Sequence, residues 1–174
     1  MNLLLGFTPF LLFAVICHSW GVFPGLVAGA LSSLALVGRD LLAGRSAKIL
    51  EAGTAAIFAL LAVYTLVADV EWSIMAVRLT VDIGLLLIVI ASILAGQPFS
   101  GQYARESVDP AHWDSPKFRS VNRQISGVWA LALAVIVCAD MLLLFMPQLP
   151  HALSIGLTIA ALAGAAKFTS AKAG

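Results

Sequence analysis

Six nearly uncharged apolar runs, at residues 3–20, 22–37, 52–68, 74–95, 125–145 and 152–166, occupy most of the chain. About 20 helical residues cross the hydrocarbon core of a bilayer, so runs of this order read as membrane spans. Lipid offers no partner to a backbone N–H or C=O, and a single apolar run satisfies its own only as a helix. The reading is an all-α integral membrane protein: a bundle of six transmembrane helices forming one polytopic domain over residues 1–174. Five spans is the alternative, because the break between the first two runs rests on Gly21, Pro24 and Gly25. Those residues also suit a kink or a re-entrant turn.

Composition closes off the other classes. Hydrophobic residues make up 61% of the 174 and charged residues only 11%, with a mean hydropathy of +1.01. Soluble domains carry about 25% charged residues. A soluble enzyme, a nucleic-acid binder and a disordered chain all need polar surface that is missing here. Ten Lys/Arg against nine Asp/Glu leave a formal charge of +1, so no global field attracts a polyanion. The first five residues carry no Lys or Arg and the run after them is too long for a secretory signal, so the first helix is expected to stay in the mature protein.

The few charges orient the spans. Lys and Arg resist translocation and stay in cytoplasmic loops. Arg39, Arg45 and Lys48 follow the second run, Arg105, Lys117, Arg119 and Arg123 follow the fourth, and Lys167 and Lys172 end the chain. Residues 69–71 carry only acid, and 147–151 carry no Lys or Arg. Nine of the ten basic residues therefore fall on one side, which places both termini in the cytoplasm.

Helices in lipid associate through close packing and polar contacts. Gly21, Gly25, Gly29 and Ser33 recur every four residues on one face, and Gly156, Ala160 and Gly164 form a similar face in the last run. Each stripe serves packing within the monomer or between copies in a homo-oligomer, with the intramolecular use as the default. Cys17 and Cys138 both lie in apolar runs and read as buried free thiols.

Ionisable residues inside spans are functional candidates by default. Arg78, Asp82 and Asp140 qualify. Arg78 and Asp82 are four apart and share a helix face. At about 1.5 Å per residue from the outer ends, Arg78 and Asp140 reach similar depths, roughly 8–9 Å, which allows an interhelical pair with Asp82 as competitor. A polar site for ion or proton movement is one reading; a charge cluster that locks helices, with Arg78 snorkelling outward, is the commoner one.

The histidines do not converge: His18 and His151 map to the outer interface and His112 to the longest loop. A metal needs several ligands closing on one point, so no metal site is expected. No nucleotide-binding loop, nucleophile elbow, zincin helix or haem-attachment motif is present, so the expectation is a non-enzymatic chain without cofactor.

The loop 96–124, GQPFSGQYARESVDPAHWDSPKFRSVNRQ, is long for a helix connection. Ser100 is a candidate cap for a short helix through Glu106, and Ser115-Pro116 is a stronger start signal for a helix running into the fifth span. Phe99, Tyr103, Trp113 and Phe118 alternate with Arg105, Lys117, Arg119 and Arg123. Aromatics at headgroup level with cations facing anionic lipid describe an interfacial segment; a docking surface for partner proteins is the functional counterpart.

Several stretches in order resemble the bacterial intracellular septation protein A family, small multi-span proteins of the inner membrane. They are FTPFLLFAV with Pro9, Trp72 at the outer edge of the fourth span, the proline in GQPFSGQ, the acidic-basic loop, and VWALAL around Trp129, together covering roughly residues 7–145. The chain departs from the family pattern at Ser73, where the family tends to place Lys, and at Ser126 and Asp140, where it favours Asn. The resemblance implies the bacterial inner membrane as location. It also implies a non-enzymatic role in septation and cell-envelope maintenance, through contacts with division and envelope-synthesis membrane proteins.

Overall fold

The computed structural model describes residues 2–146 and 148–173, whose regular elements are all helices, joined by short turns and links, with no strand among them. The chain folds as two compact units, residues 2–84 and the residues from 85 onward.

In the first unit a 3-10 stretch, Asn2–Phe7, leads into α1, Thr8–Trp20. Pro9 sits in the first turn of α1, where its missing N–H removes no helical bond. The break expected near Gly21, Pro24 and Gly25 falls at Gly21 alone, whose φ of +98° is open to glycine and strained for other residues. Pro24 and Gly25 lie in the first turns of α2, Val22–Leu42, where proline is tolerated. After an extended link come α3, Ile49–Ala68, and α4, Ile74–Leu94, which continues into the second unit.

Phe58 of α3 is fully buried at the centre of this unit, with the Phe10 and Phe13 rings of α1 at 5.5 and 5.2 Å. Leu26 and Ala30 of α2 and Val77 and Val81 of α4 complete the cluster. The small-residue face of α2 is what admits these neighbours. A Cβ on Gly25 would sit 2.9 Å from Cys17 Cβ, and one on Gly29 would sit 2.8 Å from the Phe58 ring. Ser33, fully buried, donates to Gly29 O at 2.9 Å. Gly25, Gly29 and Ser33 thus pack within the monomer. Gly21 leaves the stripe, since it serves the chain reversal and nothing approaches its Cβ position. Gly29→Ala is expected to cost about 1–3 kcal/mol through overpacking against Phe58. Gly38→Ala, on the same helix with open space at its Cβ, is expected to be neutral or stabilising. Equal thermal midpoints in detergent for the two variants would contradict this packing.

The second unit holds the end of α4, then α5, Phe99–Ala104, a 3-10 turn at Pro110–His112, α6, Pro116–Phe145, and α7, His151–Ala173. Ser115 caps α6 as expected: its Oγ accepts the Phe118 N–H at 3.2 Å. The helix runs 30 residues without a break, about 45 Å, which exceeds the roughly 30 Å hydrocarbon core. Its polar first turns, up to Gln124, form the excess. Helices α6 and α7 pair antiparallel. Trp129 Nε1 donates to Thr169 Oγ1 at 2.9 Å, and eleven residues further along α6, Asp140 Oδ1 accepts from Ser154 Oγ at 3.2 Å. Gly156, Ala160 and Gly164 lie on the exposed face of α7, and a Cβ at either glycine would meet nothing within 4 Å. Cys17 is buried, whereas Cys138 is exposed on α6, because it falls outside the face that carries Trp129, Leu133, Ile136 and Asp140.

Among the described residues five helices are long and apolar enough to cross a membrane: α2, α3, α4, α6 and α7. The first apolar helical stretch, Leu5–Trp20, is shorter than the others. Leu42, Val67, Leu94 and Phe145 are among the large apolar side chains left exposed. Such a surface suits lipid and is foreign to a soluble monomer.

Candidate functional site: two helix joints and an ordered connector

The helix α2 ends in a Schellman motif. Gly44, at φ +70°, donates to Leu41 O at 3.0 Å, and Arg45 N–H donates to Asp40 O at 2.8 Å. That geometry turns the chain so that Lys48 meets the Asp40 side chain. Asp40 Oδ1 accepts from Arg39 Nη2 and Arg45 Nη2, each at 2.9 Å, and Oδ2 accepts from Lys48 Nζ. Lys48 Nζ also lies 3.7 Å from Glu51 Oε1. Asp40 and Glu51 are fully buried and Lys48 nearly so, while the two guanidiniums reach the surface. Desolvating each such ion costs several kcal/mol, so the joint is stable only while the network is complete.

The helix α4 ends with the same backbone bonds. Gly96, at φ +71°, donates to Ile93 O at 3.1 Å, and Gln97 N–H donates to Ser92 O at 3.0 Å. The sequences run parallel too, Asp-Leu-Leu-Ala-Gly at 40–44 and Ser-Ile-Leu-Ala-Gly at 92–96. Here the buried polar groups are neutral. Ser92 Oγ accepts the Phe99 N–H at 3.1 Å, Ser100 Oγ donates to Asn122 O at 2.8 Å, and Ser126 Oγ donates to Ser100 Oγ at 3.0 Å. Ser92, Ser100 and Ser126 are fully buried and Asn122 nearly so. One joint is closed by ions and the other by hydroxyls and an amide.

Ser100 therefore does not cap a helix through Glu106. Pro98 precedes α5, which ends at Ala104, and Ser100 is spent on tying α5 to α6. Phe99 and Tyr103, expected at headgroup level, are buried edge to face with centroids 6.4 Å apart, because α5 turns its apolar side onto α6. Tyr103 is thus removed from the docking or interfacial candidates.

Beyond α5 the connector is closely bonded. Asp109 Oδ1 accepts the Ala111 N–H at 2.8 Å and starts the 3-10 turn. Trp113 Nε1 donates to Val108 O at 2.9 Å, and the Arg105 guanidinium lies 5.2 Å over the Trp113 ring. Arg119 Nη2 meets Asp114 Oδ1 at 2.7 Å. Arg105, Lys117, Arg119 and Arg123 are all exposed and Trp113 is half-buried. A surface so held places the Arg105 and Arg119 cations beside one aromatic edge.

The three intramembrane candidates fall in both units. Arg78 Nε is 3.8 Å from Asp82 Oδ2, one turn along the same helix. Asp140 is fully buried in the second unit and bonded there to Ser154. Each acid therefore has a partner inside its own unit. The Asp40–Lys48–Glu51 network is absent from the sequence expectations, because Lys48 counts there only as a basic residue after the second run and Asp40 and Glu51 lie outside the apolar runs. The signal was available as two isolated acids, Asp40 and Glu51, amid Arg39, Arg45 and Lys48.

Comparison with family models, curated proteins and solved structures returns no match to this chain.

Proposed function

We propose that the chain is a non-enzymatic six-span protein of the bacterial inner membrane with both termini in the cytoplasm. It serves cell-envelope maintenance and septation by binding membrane proteins of division or envelope synthesis through its 99–123 connector. The observation that carries this reading is the internal bonding of the connector, which holds Arg105, Trp113, Lys117, Arg119 and Arg123 at the surface of a folded segment. A tether between two spans needs none of these bonds. A docking surface gains affinity from them, because preorganised side chains lose less entropy on binding. The resemblance to the septation protein A family supplies the process. The apolar stretch up to Trp20 serves as the first crossing, and the basic joint, the connector and the last turns of α7 then share the cytoplasmic side.

One observation favours a second reading. Asp140 is fully buried in the apolar part of α6, as a proton-carrying acid in a small ion- or proton-linked transporter would be, with Arg78 and Asp82 as further polar groups. Complementation of a deletion strain separates the two. The docking reading expects the Arg105→Ala/Arg119→Ala/Arg123→Ala variant to insert normally and fail to restore septation and osmotic resistance. Asp82→Asn and Asp140→Asn are expected to restore both, and the opposite pattern supports transport.

A further inference from the structure

The connector, the start of α6 and the end of α7 enclose a cleft of about 610 Å³. That is within the usual range for small-molecule sites, about 300–1,000 Å³. Its walls divide by chemistry. Val108, Phe118, Val121 and Ile125 give an apolar floor, Lys117 and Lys172 bring two ammonium groups, and no acidic residue lines it. Neither lysine has an ion-pair partner among the described residues. Of the three acids in the connector, Asp114 pairs with Arg119, Asp109 caps the 3-10 turn, and Glu106 is not among the residues lining the cleft. The first turn of α6 opens on the same cleft and carries no acid, so the positive end of a 30-residue helix adds to the field.

We propose that this cleft binds one anionic phospholipid, with the phosphate between Lys117 and Lys172 and an acyl chain laid along Phe118, Val121 and Ile125. Depth selects a lipid over free phosphate. Lys117 stands in the polar start of α6 and Ile125 begins its apolar run, eight residues or about 12 Å further along the axis. A cleft that starts among polar residues and ends among apolar ones matches the step from headgroup to acyl chain. The site needs the fold alone and does not depend on the docking function of the connector.

The test is native mass spectrometry of the full chain in maltoside micelles, titrated with dioctanoyl phosphatidylglycerol. One lipid is expected to bind, with dioctanoyl phosphatidylcholine at least tenfold weaker and inorganic phosphate unable to compete. Lys117→Gln/Lys172→Gln is expected to weaken binding at least tenfold. So is Val121→Trp, which fills the floor and leaves both charges. Lys167→Gln, an equal charge loss on α7 outside the cleft, is expected to bind as the wild type. Wild-type affinity in either cleft variant, indifference between the two lipids, or an equal loss with Lys167→Gln would overturn the site. Competition by inorganic phosphate at similar concentration would overturn the lipid as its occupant. Circular dichroism on each variant keeps a folding defect from passing as lost binding.

Discussion

Lys48→Met destabilises the protein by about 3–5 kcal/mol, the range found when one partner of a buried ion pair is removed. The substitution keeps most of the side-chain volume and removes the ammonium that sits between Asp40 and Glu51. Both carboxylates are fully buried, and Arg39 and Arg45 both donate to Asp40 Oδ1. Asp40 Oδ2 then loses its Lys48 donor, and Glu51 loses its nearby cation. The joint at the end of α4 shows that the turn itself does not need ions, since Ser92, Ser100 and Asn122 close the same backbone geometry. Asp40→Asn/Lys48→Met/Glu51→Gln, which removes every buried charge together, is therefore expected to recover more than half of the loss. Denaturation in detergent, followed by circular dichroism, measures both. A Lys48→Met midpoint equal to the wild type, or a triple variant less stable than Lys48→Met, contradicts the account of this joint.

Trp129→Ala costs a comparable amount, about 3–5 kcal/mol, by emptying the largest side-chain site of the second unit. Lipid gives helices no hydrophobic reason to associate, so the α6–α7 pair depends on what its side chains fill and bond. Trp129 is 2% exposed, and its indole N–H reaches Thr169 Oγ1, which in turn donates to Ala165 O. Trp129→Phe keeps most of the packing and loses the hydrogen bond, so a loss nearer 1 kcal/mol is expected, and Thr169→Val should match it. If Thr169→Val proves as damaging as Trp129→Ala, the hydrogen bond rather than the packing holds this pair.

Hydropathy alone located the helices. Runs 22–37, 52–68, 74–95, 125–145 and 152–166 all fall on helices of the structure, and α4 ends within one residue of the expectation. Their polar ends were less legible. Helix α2 continues to Leu42 past Arg39 and Asp40, and α6 begins at Pro116, because a helix propagates through charged residues once its caps are set. Ser115-Pro116 announced one such cap. Gly44 and Gly96 are the other punctuation, and only their positive φ shows that both close the same motif.

The candidate site was legible as a list of residues and not as a set of contacts. Arg105, Lys117, Arg119 and Arg123 are exposed on the connector, and Trp113 is half-buried. Tyr103 is buried, because a short amphipathic helix buries its aromatic side wherever a neighbour offers apolar surface, and here α6 does so. Burial of ions at 40, 48 and 51 could not be read from spacing, since it depends on a turn that brings residues eight apart together.

The connector as the working part is the central claim, and complementation of a deletion strain with matched expression tests it most directly. The account predicts that Arg105→Ala/Arg119→Ala/Arg123→Ala inserts at wild-type level and leaves cells defective in septation and osmotic resistance, while Asp82→Asn and Asp140→Asn restore both. Full rescue by the connector variant together with failure of either Asp variant would contradict it.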